Sequence, residues 1–351
     1  MYGYKNNSYE NITFDPCETD FGGMQVFLLL MYSLVILIAV GGNVLVCYIV
    51  LAHKRMRTAT NFFLLNLAVS DITKAIICIP FTFVANMIVP YWPFGSFMCP
   101  FVTYMQAVAV FLSAFTLVGM SMDRYVAILY PLRPKLTIRK VIYVLALVWI
   151  LALAVPLPTA ILSVIISPFN TSEDCQKGLC MELFEYDNHK YIYSMMIMCL
   201  QYFVPLIVLM FTYARIGYVI WLKKIPGEAV KKRDDKIASS KRKMVKMMIV
   251  VVLIYAICWL PLHAITLAGD RHPSIYNIHN FQIIWIACHW LAMSHACYNP
   301  IVYFWMNKRF RACFQNLFCM CSSCQEKLNK HFYSLTNIDT NMRYLTERIQ
   351  K

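Results

Sequence analysis

Ionisable residues inside long apolar runs are the first candidates for chemistry in this sequence. Asp71 and Lys74 lie within one such run, Asp123 and Arg124 lie at the end of another, and Arg215 lies within a third. A charge in the hydrocarbon core of a bilayer is costly unless it is paired, so each marks a functional site by default. Asp71 needs a cation, a proton or a polar partner. Asp123 and Arg124 could form either a switch or an anchor at the membrane surface.

The elements that must position these residues are seven apolar runs of membrane-spanning length. The runs cover residues 25–51, 62–89, 97–129, 141–166, 191–222, 244–268 and 281–306. With 60% apolar and 14% charged residues, the chain lies well outside the composition of soluble domains. Strands of a membrane barrel would be only about ten residues long and would alternate in polarity. The sequence therefore predicts an all-α membrane protein, a seven-transmembrane helix bundle with a short amphipathic eighth helix.

The distribution of basic residues predicts how the bundle is oriented. Of the 32 Lys and Arg residues, 25 fall in the connections on one side of the membrane and four on the other. Basic residues favour the cytoplasmic side, so the N-terminus is expected outside the cell. The net charge of +14 is then mostly a topology signal with attraction to membrane lipid, and no nucleic-acid partner is expected. The predicted segments are an extracellular tail (1–24), the bundle (25–306), the amphipathic helix (307–318) and a cytoplasmic tail (319–351).

Asparagine and cysteine positions predict modifications on both sides of the membrane. Glycosylation acceptors on the outer side are Asn6, Asn11 and Asn170. Four cysteines on that side, at positions 17, 99, 175 and 180, allow three pairings, between which the sequence alone does not choose. Palmitoylation acceptors on the inner side are Cys319, Cys321 and Cys324. A zinc site at these three is disfavoured because no fourth ligand follows at a regular spacing, so no metal site is expected.

Short signatures then occur in a fixed order along the seven runs. They are Gly42-Asn43, Asp71, Trp92 before Cys99, Asp123-Arg124-Tyr125, Trp149, Pro205 with Tyr213, Cys258-Trp259-Leu260-Pro261, Asn299-Pro300-Ile301-Val302-Tyr303, and finally Phe310 with Arg311. From about residue 42 to 324 this series resembles the rhodopsin-like (class A) G-protein-coupled receptors. The resemblance implies a plasma-membrane receptor that activates a heterotrimeric G protein, with arrestin as a further partner.

The resemblance also implies an activation switch on the inner side of the bundle. Asp123 would hold Arg124 at rest, and Arg124 would move toward Tyr213 and Tyr303 as the inner end of the sixth helix moves outward. Trp259 would lie beneath the ligand and transmit its contacts to a kink at a proline. The switch residues are Asp123, Arg124, Tyr125, Tyr213, Trp259, Pro261, Asn299, Pro300 and Tyr303.

A sodium-sized pocket is a further implication of the resemblance. Its residues are Asp71, Ser113, His295 and Asn299. Sodium is thus a candidate allosteric ligand, and no other cofactor is expected. Lys74 lies three residues after Asp71 on the same helix face. One hypothesis is that the Lys74 ammonium or a protonated His295 partly substitutes for sodium, and the alternative is that Lys74 points elsewhere.

The same resemblance implies a disulfide pairing that the residues alone leave open. Cys99 would pair with Cys180, because Leu179-Cys180-Met181-Glu182 looks like the second outer loop of the family. Cys17 with Cys175 is then a candidate second bridge.

Residues near the outer face indicate the class of ligand. Gln106 stands where amine receptors carry an acid. The outer face carries few basic residues and offers the acidic residues Glu173, Asp174, Glu182, Glu185, Asp187 and Asp270, so it should attract a basic ligand. Gln106 together with Asp270 resembles the neuropeptide Y-like receptors, and the seventh run looks like the neuropeptide Y, RYamide/luqin and tachykinin branch. The expected ligand is a neuropeptide with an Arg-aromatic-amide C-terminus. The candidate ligand-binding residues are Gln106, Asp270, Glu182, Trp259, His263 and His289.

Other functional classes are less consistent with the sequence. A tachykinin-like or other peptide receptor is the nearest alternative, followed by a ligand-free receptor. A transporter of this size would show internal repeats, and none is found. An enzyme would need a clustered acid–base or metal set inside the bundle, whereas the histidines are scattered, so no enzymatic activity is expected.

Overall fold

The computed structural model describes residues 23–89, 91–130, 133–134, 136–166, 178–222, 231–272, 274–275 and 281–318. The helices are α1 (Gly23–Ala52), α2 (Ala59–Ile88), α3 (Gly95–Leu129), α4 (Ile138–Leu162), α5 (Asn188–Ile220), α6 (Lys231–Arg271), α7 (Phe281–Met306) and α8 (Lys308–Phe318). Strands β1 (Ser163–Ile166) and β2 (Leu179–Glu182) form an antiparallel pair. The prediction of a helical membrane bundle is confirmed.

Within the described residues, six helices, α1 to α6, are long and apolar enough to cross a membrane. The remaining long helix, α7, has 26 residues, which suffices for a span of about 39 Å. Helix α7 is less apolar than α1 to α6 because it carries several polar residues. These residues, His289, Ser294, His295 and Asn299, are all buried. These polar side chains face the other helices rather than lipid, so the composition of α7 reflects its place inside the bundle.

The predicted fourth span is wrong at its outer end. The apolar run 141–166 was expected to be helical throughout, but α4 ends at Leu162 and the next four residues form β1. Ile165 pairs with Cys180 in β2, and Cys180 forms a disulfide with Cys99 at the start of α3. Two β-branched isoleucines and a valine favour the extended strand. Apolarity alone could not separate a strand of this kind from the end of a helix.

Proline residues introduce irregular turns into the spans, as expected from their missing N–H group. In α2, π-helical turns at Lys74–Cys78 and Val84–Ile88 lie on either side of Pro80. In α5 a π-helical turn, Cys199–Phe203, comes shortly before Pro205. Such turns add a residue to the helix and rotate the side chains that follow. They therefore change which residues of α2 and α5 face the interior.

Polar side chains join the helices in pairs across the core. Asn66 of α2 donates to the Thr116 hydroxyl of α3 (2.7 Å) and accepts from the Trp149 indole of α4 (2.9 Å). Asn43 of α1 donates to the carbonyl of Ala296 in α7 (2.9 Å). Interhelical hydrogen bonds of this kind stabilise helices that lipid surrounds. Gly42 is required nearby, because a Cβ atom there would lie 2.9 Å from the ring of Pro300.

Helix α8 turns away from α7 at Asn307. The Asn307 side chain accepts hydrogen bonds from the backbone N–H groups of Arg309 and Phe310, which caps the start of α8. Phe310 is buried, with its ring 5.7 Å from that of Tyr303. The apolar face of α8 thus packs on the inner end of the bundle, where the amphipathic helix was predicted.

Candidate functional site

A cavity of about 250 Å³ lies at the end of the bundle that carries the Cys99–Cys180 disulfide, which is the end predicted to face outward. Its wall combines side chains of α2, α3, β2, α6 and α7, among them Thr82, Gln106 and His289. The Gln106 amide oxygen lies 3.5 Å from the Thr82 hydroxyl, and the Gln106 side chain carries both donors and an acceptor at the cavity wall. The β1–β2 hairpin contributes Leu179 and Cys180 to the wall. The Cys99–Cys180 disulfide therefore fixes the hairpin over the mouth of the cavity.

An aromatic wall on the α7 side of this cavity is held from α1. The rings of Trp285 and His289 are stacked with centroids 4.9 Å apart. A hydrogen bond of 2.9 Å joins Nδ1 of His289 to the Tyr32 hydroxyl. The Nε2 atom of His289 is buried and has no hydrogen-bond partner within the described residues. His289 is thus a buried part of the cavity wall, with its ring packed against Trp285 and one ring nitrogen without a partner in the described chain.

An outer acid site, composed of Asp270, Glu182 and Lys190, lies next to the cavity. Thr266 lines the cavity, and Asp270 follows four residues later on the same face of α6. Asp270 Oδ1 lies 3.1 Å from Lys190 Nζ of α5, with the Asp270 side chain only 3% exposed. Oδ2 of Asp270 is buried, and no described residue forms a hydrogen bond with it. One oxygen of the carboxylate is therefore unpaired within the described part of the chain.

Glu182 adds a second carboxyl group to the outer acid site. Burial and the nearby negative charge of Asp270 raise its pKa above the usual range of a glutamate, although Lys190 and a hydrogen bond with Thr159 act in the opposite direction. Lys190 pairs with Asp270 and acts on Glu182 only through its charge, so the outer acid site has two carboxyl groups for one lysine. A second cation would be attracted to this site.

A buried polar cluster lies deeper in the bundle, around Asp71. Asp71 Oδ1 lies 2.7 Å from Lys74 Nζ, and Asp71 Oδ2 accepts a hydrogen bond of 2.7 Å from Asn299. Lys74 also donates to the Ser113 hydroxyl (3.3 Å), whereas His295 Nδ1 lies 4.0 Å from Asp71. The structure brings together all four residues of the expected sodium pocket, and it also places Lys74 among them.

The inner ends of α3, α5 and α7 carry the candidate switch. Arg124 forms an ion pair with Asp123, with Nε of Arg124 3.0 Å from the carboxylate, and its Nη1 lies 3.5 Å from the sulfur of Met244 in α6. The hydroxyls of Tyr213 and Tyr303 are buried without a hydrogen-bond partner in the described part of the chain. Asp123 thus holds the Arg124 guanidinium in this structure, as expected for the resting arrangement of the predicted switch.

The order of these elements matches a known protein family. The family model described as 7 transmembrane receptor (rhodopsin family) matches residues 42–303. The chain belongs to the rhodopsin family of seven-transmembrane receptors. It is therefore a multi-pass receptor of the plasma membrane, in a family of receptors rather than enzymes.

Relatives of this receptor are known from several animals. It is 42% identical to the RYamide receptor of Drosophila melanogaster over 321 residues, covering 90% of this chain and 68% of that protein. With the RYamide receptor of Tribolium castaneum the identity is 45% over 288 residues, covering 80% and 77%. The human substance-P receptor is 38% identical over 296 residues, covering 83% and 70%.

The structure divides the ligand-binding residues expected in this receptor into separate groups. Gln106 and His289 line the outer cavity, and Glu182 and Asp270 form the adjacent acid site. Trp259 and His263 do not line the cavity.

The two residues outside that cavity stack on each other, with ring centroids 5.7 Å apart. His263 instead borders a crevice of about 410 Å³ between α5 and α6. Trp259 is buried below it, with its ring centroid 6.0 Å from Lys74 Nζ. Trp259 thus lies between His263 and the Asp71 cluster.

Several contacts of the site were not expected from the sequence. Tyr32, Thr82 and Trp285 carry no recognisable motif, although Trp285 and His289 are four residues apart and so share a face of α7. The pairing of Lys190 with Asp270 joins residues 80 positions apart on different helices. No local signal could reveal that pairing.

The disulfide Cys99–Cys180 is present, as expected. Other predicted modification sites lie outside the described residues, namely Cys17, Cys175, Asn6, Asn11, Asn170, Cys319, Cys321 and Cys324. Within the described ranges, no group of three or more His, Cys, Asp or Glu side chains could hold a metal ion.

Proposed function

We propose that this receptor binds an extracellular peptide that ends in an arginine and an amidated aromatic residue. The observation that carries the proposal is the Asp270 carboxylate, which is almost fully buried and has one oxygen without a partner in the described chain. A guanidinium group has parallel N–H donors that fit both oxygens of a carboxylate. The arginine would displace Lys190 and pair with Asp270 on both oxygens.

The outer cavity suits the residue that follows the arginine. Gln106 can exchange hydrogen bonds with a terminal amide, because its side chain carries both donors and an acceptor. The stacked Trp285 and His289 rings present an aromatic face to the aromatic side chain. Because Asp270 lies one turn outside the cavity wall, the arginine would remain at the mouth while the amidated residue enters.

The proposed orientation places the N-terminus, the cavity and the outer acid site outside the cell. The Cys99–Cys180 disulfide supports this orientation, since disulfides persist in oxidising compartments. Signal transfer would run from the cavity through Trp259 to the Pro261 region of α6. Outward motion of the inner end of α6 would remove Met244 from Arg124 and expose a site for a G-protein helix. Arrestin and inner-leaflet lipid are further proposed partners.

The experiment uses cells that express the full chain and report G-protein activation. Three matched synthetic peptides are applied: one ends in Arg-Tyr-amide, one in citrulline-Tyr-amide, and one in Arg-Tyr with a free carboxyl group. The first should be the most potent, because citrulline is uncharged and the free acid brings a negative charge toward the cavity. Equal potency of all three would contradict the proposal.

A tachykinin-like peptide is the second candidate ligand, because the human substance-P receptor is 38% identical to this chain. The same assay separates the two candidates. Activation by amidated peptides that lack the arginine, with silence toward the Arg-Tyr-amide and Arg-Phe-amide peptides, would favour the tachykinin-like ligand.

A further inference from the structure

The centre of the bundle holds an ion pair that is closed to solvent. Asp71 and Lys74 are 0% and 1% exposed, and the carboxylate oxygen lies 2.7 Å from the ammonium nitrogen. Both residues belong to α2, and Lys74 is the first residue of its π-helical turn. The pair therefore depends on the local path of a single helix.

Two of the polar groups around this pair contact it directly, whereas Oδ1 of Asn299 and both ring nitrogens of His295 are buried without a hydrogen-bond partner among the described residues. Asn299 donates to the second oxygen of Asp71, and the hydroxyl of Ser113 lies 3.3 Å from Lys74 Nζ. Ser113 in turn donates to the carbonyl of Ala109 at 3.1 Å. His295 Nδ1, at 4.0 Å from Asp71, lies beyond hydrogen-bond distance. Of the two candidates for an internal cation, Lys74 and not His295 makes direct contact with the carboxylate.

A sodium ion does not fit this arrangement. It would need the Asp71 carboxylate and the Ser113 hydroxyl as ligands, and the Lys74 ammonium is in contact with both. A second positive charge within a few ångströms would be strongly repelled, because the dielectric screening inside the bundle is weak. The residues that suggest a sodium pocket in the sequence form a different site in the folded chain.

We propose that the Lys74 ammonium is the permanent cation of this pocket and that the receptor binds no sodium ion beside Asp71. The cation is covalently attached three residues from its carboxylate, so its occupancy does not depend on the salt outside the cell. Motion of α7 would break the Asn299 contact but leave the ion pair intact. The pocket then gives this receptor a fixed internal charge in place of an exchangeable ion.

The test is the thermal unfolding temperature of the purified full-length receptor, which requires no knowledge of its ligand. Sodium chloride replaces choline chloride from about 1 to about 300 mM at constant total salt, so that ionic screening is unchanged. The unsubstituted receptor should give a flat titration. A saturable rise with sodium would overturn the proposal.

Substitutions at Lys74 make the test sharper. Lys74→Ala removes the ammonium and opens space beside Asp71, so sodium should raise its unfolding temperature by about 2 °C or more. Lys74→Met removes the charge but fills the space, and should not respond. The double variant Asp71→Asn, Lys74→Ala lacks the carboxylate and should also be unresponsive.

A Lys74→Ala receptor that folds and ignores sodium would contradict the claim that the ammonium takes the place of the ion. If Lys74→Ala gives no folded protein in either salt, the titration of the unsubstituted receptor still decides, because a flat curve supports the proposal and a saturable rise overturns it.

Discussion

Two aspartate–lysine pairs, one at the core and one at the mouth of the bundle, use the same chemistry in different ways. In the core, Asp71 and Lys74 lie on one helix, are closed to solvent and leave neither carboxylate oxygen without a contact. At the mouth, Asp270 of α6 pairs with Lys190 of α5, the lysine is 33% exposed, and one oxygen of the aspartate has no partner among the described residues.

The difference shows which of the two pairs can serve as a binding site. The core lysine cannot leave, because its ammonium would become an unpaired charge in the bundle. The outer lysine is partly exposed and can turn its ammonium into water without becoming a buried charge. Asp270 cannot follow it and must take another cation. The same pair of residue types is thus structural in one place and exchangeable in the other.

The largest expected effect comes from breaking the core pair. Lys74→Met should destabilise the receptor by about 3–5 kcal/mol, because it leaves an uncompensated carboxylate in the bundle. The measurement is the yield and unfolding temperature of the detergent-extracted protein. Asp71→Asn combined with Lys74→Met removes both charges and should recover most of the loss. If Lys74→Met were as stable as the unsubstituted receptor, the ion pair would not contribute to the stability of the fold.

A smaller effect is expected at the outer pair. Lys190→Gln removes the cation that competes for Asp270, so the Arg-Tyr-amide peptide should bind about threefold more tightly. Lys190→Arg keeps a competing cation and serves as the matched control, with affinity near that of the unsubstituted receptor. Weaker binding to Lys190→Gln would mean that Lys190 orders the carboxylate for the ligand instead of competing with it.

The smallest effect concerns pH at the outer acid site. Because burial and Asp270 raise the pKa of Glu182, this side chain takes up a proton above the ordinary glutamate value of 4.5 as the pH falls. Protonation removes a negative charge, so the affinity for a cationic peptide should fall by about threefold on acidification from neutral pH. Glu182→Gln should flatten the profile. A profile unchanged by that substitution would assign the pH effect to another group.

The sequence was most informative about the helices and least informative about side-chain contacts. Apolar runs located the spans, but β1 was missed because an apolar strand and an apolar helix end look alike over four residues. The spacing of Asp71 and Lys74 placed them on one face of α2, yet it could not determine whether the ammonium points inward. The direction of the Lys74 ammonium depends on the π-helical turn at Lys74 and on its contact with Ser113 of α3.

The contacts of the outer acid site also could not be predicted from the sequence. Gln106 and Asp270 were both recognisable from the sequence as a pair that would receive the end of a peptide, but the sequence did not show how they are arranged. Only the packing of α5 against α6 brings Lys190 to Asp270 and separates the acid site from the cavity wall. Contacts between distant parts of the chain follow from the fold and have no local pattern.

The most direct test of the exchangeable outer pair is the potency ratio of the Arg-Tyr-amide and citrulline-Tyr-amide peptides, measured on the unsubstituted receptor and on Asp270→Asn. On the unsubstituted receptor the arginine peptide should be about 10- to 100-fold more potent, as expected for a charge-assisted pair. On Asp270→Asn the ratio should fall to about 1, while Glu185→Gln, at an exposed acid nearby, should keep it. An undiminished ratio on Asp270→Asn would contradict the assignment of this carboxylate as the site of the ligand's arginine.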